Sequence, residues 1–177
     1  MPGEVEAIFS DDGAIKAFEK AKKDGKVRFL GFSAHSVEAA LAMMDRFDFD
    51  SIMFPVNYAT WHAGNFGPQV LARAQQKKMG ILALKAMAKR PWTRGADHSA
   101  HPNCWYEPFT DPEEALSALR FTLSHPVTTA LMPASATCLK LGLSLASKYS
   151  PLNAEEVEAM KQKGLATAPL FRYRSHG

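Results

Sequence analysis

Residues 25–36 read GKVRFLGFSAHS, and the reading of this stretch decides the fold class. Just before it, Ile15, Phe18 and Ala21 recur at helical spacing behind Ser10-Asp11-Asp12, a group suited to capping a helix start. Lys22 and Lys23 complement the negative end of that helix, and Gly25 suits the left-handed residue that closes it. Val27 to Ser33 (VRFLGFS) then reads as a strand. Ser36 caps a second helix carrying Ala40, Leu41, Met43 and Met44, which ends near Phe47. A strand followed at once by a capped helix is the repeating unit of a parallel sheet.

The same unit recurs outward along the chain. Ser51 to Tyr58 (SIMFPVNY) is a second strand, and Pro55, which has no N–H to donate, marks an early end to it. Pro68 sits at a first helical position, Val70, Leu71 and Ala74 form the apolar stripe, and Gly80 stops the helix. Ile81 to Ala88 (ILALKAMA) is a third strand. Residues 89–110 form a long connection rich in Pro, His and Trp, and loops of this length are usually functional or disordered. Asp111-Pro112-Glu113-Glu114 opens a helix with Leu116, Leu119 and Leu123, which His125-Pro126 ends. Val127 to Met132 is a fourth strand, and a helix follows from about Thr137 to Lys148. Asn153 with Glu156 predicts a capping box for a last helix ending at Gly164, and the tail APLFRYRSHG has no clear period.

The four strands are apolar nearly throughout, so they belong in a parallel sheet covered by helices. Pattern alone leaves both a doubly wound open sheet and part of a βα barrel available. Composition narrows the functional classes. The 177 residues are 46% hydrophobic and 22% charged, an ordinary globular balance. No apolar run approaches the roughly 18 residues of a membrane span, and MPGEVEAIF lacks a signal peptide's basic start. A net charge of +3 without a basic run argues against nucleic acid. Two cysteines, Cys104 and Cys138, make no disulfide framework, so a reducing cytoplasm is expected.

GKVRFLGFSAHS resembles the segment leading into the fifth barrel strand of aldo/keto reductases. The segments after it agree in order. FDSIMFPVNY is similar to the sixth strand, KKMGILALKAMAK to the seventh and VTTALMPAS to the eighth, so the resemblance runs from about residue 12 to about residue 165. It implies an α/β chain: a four-stranded parallel (βα)4 half of a TIM barrel with an extra N-terminal helix and a C-terminal helix, residues 1–177 forming a single half-barrel domain. A full barrel normally needs about 250 residues. The family keeps its catalytic Asp, Tyr, Lys and His on the second to fourth strands, so the resemblance implies a half without that tetrad.

The half that is present is the family's cofactor half, and NADP is the cofactor it implies. Active groups of parallel α/β folds lie at the carboxyl ends of the strands. Ser33 matches the family serine that holds the nicotinamide carboxamide. Ala34 stands where much of the family has Asn, Lys85 where many members have a stacking Tyr, and Pro55 near a frequent Gln. Ser135, Thr137 and Lys140 fall where the family places the adenosine 2′-phosphate, at a helix start whose free N–H groups suit an anion. His35 and Asn57 complete the candidate cofactor-binding set, with no catalytic residue assigned. Five of these positions also read as plain structural ones: Ser33 as a strand-end residue, His35 as a loop histidine, Ser135 and Thr137 as helix caps, and Lys85 as a strand-end charge.

His98, His101 and Cys104 at i, i+3, i+6 form a three-ligand set without a fourth partner, so no metal is expected. Neither thiol has a base beside it in sequence. Trp92, Trp105 and Tyr106 read as packing the long loop over the strand ends. A four-stranded half-barrel leaves two sheet edges unpaired and one apolar face uncovered, which favours association. A homodimer that sets the fourth strand of one copy beside the first strand of the other would close eight parallel strands. Function then divides three ways: a non-catalytic scaffold, a residual nicotinamide-binding module, or an oxidoreductase whose site a second chain completes.

Overall fold

The computed structural model describes residues 2–174. Its centre is a four-stranded parallel sheet of β1 (Gly31–Ser33), β2 (Ser51–Pro55), β3 (Gly80–Leu84) and β6 (Thr129–Ala130), in that spatial order. Helices α3 (Val37–Arg46) and α5 (Pro68–Gln76) follow β1 and β2, α6 (Pro112–Leu123) precedes β6, and α7 (Ala136–Ala146) and α8 (Ala154–Leu165) follow it. The fold is therefore α/β, as the apolar strands predicted.

The register places Phe32, Ile52 and Ile81 side by side, and likewise Phe54, Ala83 and Ala130. Ile52, Phe54, Ile81 and Ala83 are almost fully buried. They join Val37, Ala40 and Met44 of α3 and Val70, Leu71 and Ala74 of α5 in one core. A second core gathers Met87, Phe109, Ala118, Leu119, Phe121, Leu145 and Met160 around α6, α7 and α8. Successive side chains of a strand face opposite ways. The other face carries Ser33, Met53, Leu82 and Thr129 in one row, and each of these is half-buried or exposed.

The helix caps stand where the residue types put them. Ser36 Oγ accepts from Ala39 N, Asp111 accepts from Glu113 N and Glu114 N, and Asn153 with Glu156 forms the capping box. Pro68 and Pro112 lie in the first turns of their helices. The first helix differs. Ser10-Asp11-Asp12 does not cap it; α2 (Ala14–Lys23) starts after Gly13 with no side-chain cap. Ser10 instead donates to Ala7 O and closes a preceding helix, α1 (Pro2–Phe9), too short to show a period. A side chain at Gly13 would collide with the Ile8 carbonyl, so the tight α1–α2 turn requires glycine there. Phe18, assigned to the apolar stripe, is exposed.

The strands are shorter than their apolar runs. The Asp50 carboxylate takes the Leu30 N–H at 2.7 Å and the Lys22 ammonium at 2.8 Å, so the Leu30 N–H leaves the ladder even though its carbonyl accepts from Asp50 N, and Phe29 before it is exposed. The Thr128 hydroxyl accepts from Ile81 N at 3.0 Å in place of a ladder carbonyl, so the last strand narrows to two residues. Pro55 does end β2, and residues 58–62 turn into a short helix, α4 (Tyr58–His62), rather than continuing the strand. The long connection is ordered. β4 (Ala88–Pro91) and β5 (Tyr106–Pro108) pair as an antiparallel hairpin, and Phe109 N donates to Met87 O beside it.

Candidate functional site

The carboxyl ends of β1, β2 and β3 converge on one mouth, and each end leaves the sheet differently. After β1, Ser33 is exposed, Ala34 is buried, and His35 precedes the Ser36 cap. After β2, the Asn57 side chain turns the chain into α4. Its Oδ1 accepts from Ala59 N, Thr60 N and Thr60 Oγ1, and its Nδ2 donates to Lys85 O (3.2 Å) and Ala88 O (2.7 Å). Asn57 is buried with both ends of its amide engaged inside the fold. After β3, Lys85 takes a left-handed conformation (φ 69°), uncommon for a residue with a β-carbon. Ala88 N donates to Lys85 O and closes the turn.

This turn sends the Lys85 ammonium between two rings of the hairpin loop. Its Nζ lies 4.9 Å from the Trp105 ring centroid and 4.7 Å from that of Tyr106. Burial pulls the Lys85 pKa below the usual lysine value, and the nearby Cys104 thiol opposes this. Burial also pushes the Cys104 thiol and the Tyr106 hydroxyl upward, so both are protonated neighbours at neutral pH. His35 is held below the ordinary imidazole value, first by burial and then by the Lys85 charge. The fold thus brings His35 and Lys85 into electrostatic contact from two different strands.

The C-terminal tail completes the mouth. Tyr173 N donates to Gly64 O and Arg172 to Ala63 O, which lays Phe171 across the strand ends. Phe171 stacks on Phe66 at 5.1 Å and touches His35 at 5.4 Å and Trp105 at 5.8 Å, centroid to centroid. An aromatic arc therefore runs from His35 through Phe171 and Trp105 to Tyr106. Trp105 and Tyr106 were singled out in sequence as loop packing, and Tyr106 is buried; Trp105 remains 56% exposed. Phe171 carried no signal in sequence, because its tail has no period.

The last strand end holds a separate group. Ser135 caps α7, accepting from Cys138 N, and its Oγ lies 2.8 Å from Thr137 Oγ1 and 3.2 Å from His101 Nδ1. His101 Nδ1 is 3.9 Å from the Cys138 sulfur, so the fold supplies a base beside a thiol that had none in sequence. Lys140 lies further along α7 and is exposed. The three residues of the His98-x-x-His101-x-x-Cys104 spacing go to different partners. His98 stacks on Trp92, His101 faces Ser135, and Cys104 is buried with its carbonyl accepting from Trp92 Nε1. Among the described residues, no three His, Cys, Asp or Glu side chains are placed to hold a metal ion.

Two grooves flank the sheet. One, of about 560 Å³, lies at the β1 edge between α1 and α3 and is lined by Val5, Ile8, Phe32, Ser33, His35 and Met43. The other, of about 860 Å³, runs beside β6 and α7 and is lined by Leu84, Thr129, Leu131, Leu139, Gly142 and Leu143. Among the described residues, no helix is long and apolar enough to cross a membrane.

No protein-family model matches the sequence. No curated protein matches it either. Solved structures do share its fold. An aldo-keto reductase, AKR11C1 from Bacillus halodurans, superposes in its apo form with a TM-score of 0.60 at 20% identity, over 94% of this chain and 62% of its own. Its holo form gives 0.61 at 21%, over 93% and 58%. The glycerol dehydrogenase AKR11B4 from Gluconobacter oxydans gives 0.53 at 17%, over 94% and 57%. The aldose reductase from Schistosoma japonicum gives 0.55 at 15%, over 91% and 48%. The chain therefore spans only about half to three-fifths of the length of these structures, and its α/β fold is similar to part of theirs.

Proposed function

We propose that this chain is an aldo/keto-reductase-like half-barrel, corresponding to strands five to eight, that assembles through its open sheet edges into a homodimer. The observation that carries the reading is the asymmetry of the sheet. Helices bury the Ile52–Ile81 face, whereas the Ser33–Met53–Leu82–Thr129 row stays half-buried or exposed and, among the described residues, β6 pairs on one side only. A second copy related by a two-fold axis sets its β1 beside this β6 with the strands still parallel. The chain alone is proposed to be a scaffold rather than a reductase, because the family's proton-donating Asp, Tyr, Lys and His belong to strands of the other half. The two free thiols suit a reducing cytoplasm.

Sedimentation at micromolar concentration tests the assembly. A dimer is expected, and a well-folded monomer overturns the reading. Purified protein that reduces simple aldehydes robustly with NADPH overturns the scaffold part.

A second reading, residual NADP binding, is favoured by the hydroxyl cluster of Ser135 and Thr137 at the start of α7, where free N–H groups suit a phosphate and Lys140 is near in sequence. Lys85 follows the neighbouring strand β3, while Ser33 ends β1 at the far edge of the sheet. NADPH titrated against tryptophan fluorescence is expected to quench it. An unchanged signal at millimolar cofactor removes this reading and leaves the scaffold.

A further inference from the structure

The mouth has a charge and a shape that the assembly reading does not use. Among the described residues, Lys85 Nζ has neither a hydrogen-bond acceptor nor a carboxylate partner; its neighbours are two aromatic faces and the Cys104 thiol. Ring faces attract a cation but do not neutralise it. A half-buried ammonium without a counter-ion is costly, and an anion placed beside it recovers that cost. Beyond the neutral Tyr106 hydroxyl and Cys104 thiol, His35 also acts on Lys85 electrostatically, and it is a second potential cation and not an acid.

The surroundings add a flat apolar platform. Trp105 presents one face to Lys85 and meets Tyr106 and Phe171 edge to face, yet it stays 56% exposed. So large an exposed indole, held rigidly on two other rings, offers a stacking surface next to the unpaired cation. The backbone of Lys85 is itself held in place: its left-handed turn is fixed by Asn57 Nδ2 and Ala88 N, both bonded to its carbonyl. The site therefore stands on four segments, the β1 end, the β3 end, the hairpin loop and the tail.

We propose that this mouth binds aromatic carboxylates, with the carboxylate on Lys85 Nζ, the His35 imidazole flanking it, and the ring lying on Trp105 and Phe171. The same arrangement disfavours a cationic ring, which Lys85 would repel. Site and ligand class are independent of whether two halves close a barrel.

The test uses the protein in its own oligomeric state and three probes: benzoate, benzamide and acetate. Binding is followed by the NMR signal of the Trp105 indole N–H, assigned with Trp105→Phe. Benzoate is expected to saturate with a Kd on the order of 1 mM, a scale reasonable for so small a ligand. Benzamide, which keeps the ring without the charge, and acetate, which keeps the charge without the ring, are each expected to bind about tenfold more weakly. Lys85→Met keeps most of the stem and is expected to lose benzoate binding about tenfold, whereas Lys85→Arg retains it. Equal binding of benzoate and benzamide overturns the proposal, as does no saturable shift with benzoate. Undiminished binding by a folded Lys85→Met protein overturns it too. If Lys85→Met does not fold, the three probes on the unaltered protein still decide.

Discussion

Asn57 shows how a residue at a strand end acquires a role from the fold rather than from its position. The resemblance placed it among cofactor contacts; the structure gives its amide five internal hydrogen bonds, two of which tie the end of β2 to the turn after β3 while three cap α4. Asn57→Ala would leave the Ala88 carbonyl and the Ala59 and Thr60 N–H groups without this partner, while the Lys85 carbonyl keeps Ala88 N. Each buried orphan costs about 1–3 kcal/mol, so a loss of about 3 kcal/mol or more is expected in urea unfolding. A loss under about 1 kcal/mol would mean that water replaces the amide and that the turn is not held by it. At the same scale, Ser36 and Ser135 were legible because capping is a local rule: a hydroxyl needs only the N–H two or three residues on. The left-handed backbone of Lys85 was not legible, since no local residue preference calls for it.

At the scale of elements, the caps were read correctly for α3, α6 and α8 and the apolar stripes for α3, α5 and α6, because period and cap both lie within one helix; the stop assigned to Gly80 fell late, since α5 ends at Gln76 and Gly80 opens β3. The strands were overextended, because apolar content does not say which N–H a distant carboxylate or hydroxyl will take. Asp50 and Thr128 decide that across the sheet.

The junction of α4, α6 and α8 carries a pH dependence. His62 on α4 is held below the ordinary value of 6.5, first by burial and then by His125 and Lys161, with Glu158 opposing. Its buried Nε2 has no hydrogen-bond partner among the described residues. His125, past the end of α6, is lowered by burial, and its Nδ1 donates to Phe121 O at 2.8 Å. A lowered folded-state value means that the unfolded chain takes the proton first as pH falls. Stability is then complete above about pH 6.5 and is lost as the pH drops towards the folded-state values. Thermal melting is expected at a lower temperature at pH 5.5 than at pH 7.5, before most carboxylates titrate, with a smaller difference in His125→Gln. A midpoint that does not change between these pH values rejects this account.

At the scale of the molecule, the β6 edge makes the assembly proposal specific. Leu143 is 65% exposed and Leu139 46%, both on the face of α7 that lines the groove beside β6. Exposed apolar groups contiguous with an unpaired strand mark an interaction surface. Leu143→Glu keeps a helix-forming residue at an exposed position, so the monomer fold survives it. It is expected to shift the sedimenting species from dimer to monomer, and an unchanged dimer would place the interface elsewhere. The short edge strands, three residues in β1 and two in β6, limit each edge to few hydrogen bonds, so side chains of the open face supply most of the contact.

The sequence by itself determined the α/β class, the parallel order implied by apolar strands alternating with helices, and most helix boundaries. These depend on periodicity and on capping over three or four residues, which one segment carries alone. Only the tertiary structure decided what the strand ends hold. His35, Lys85, Trp105 and Phe171 are brought to one mouth by two strand ends, a hairpin and a tail far apart in the chain. No spacing rule links them, because their proximity arises from the burial of other residues, in the two cores beneath.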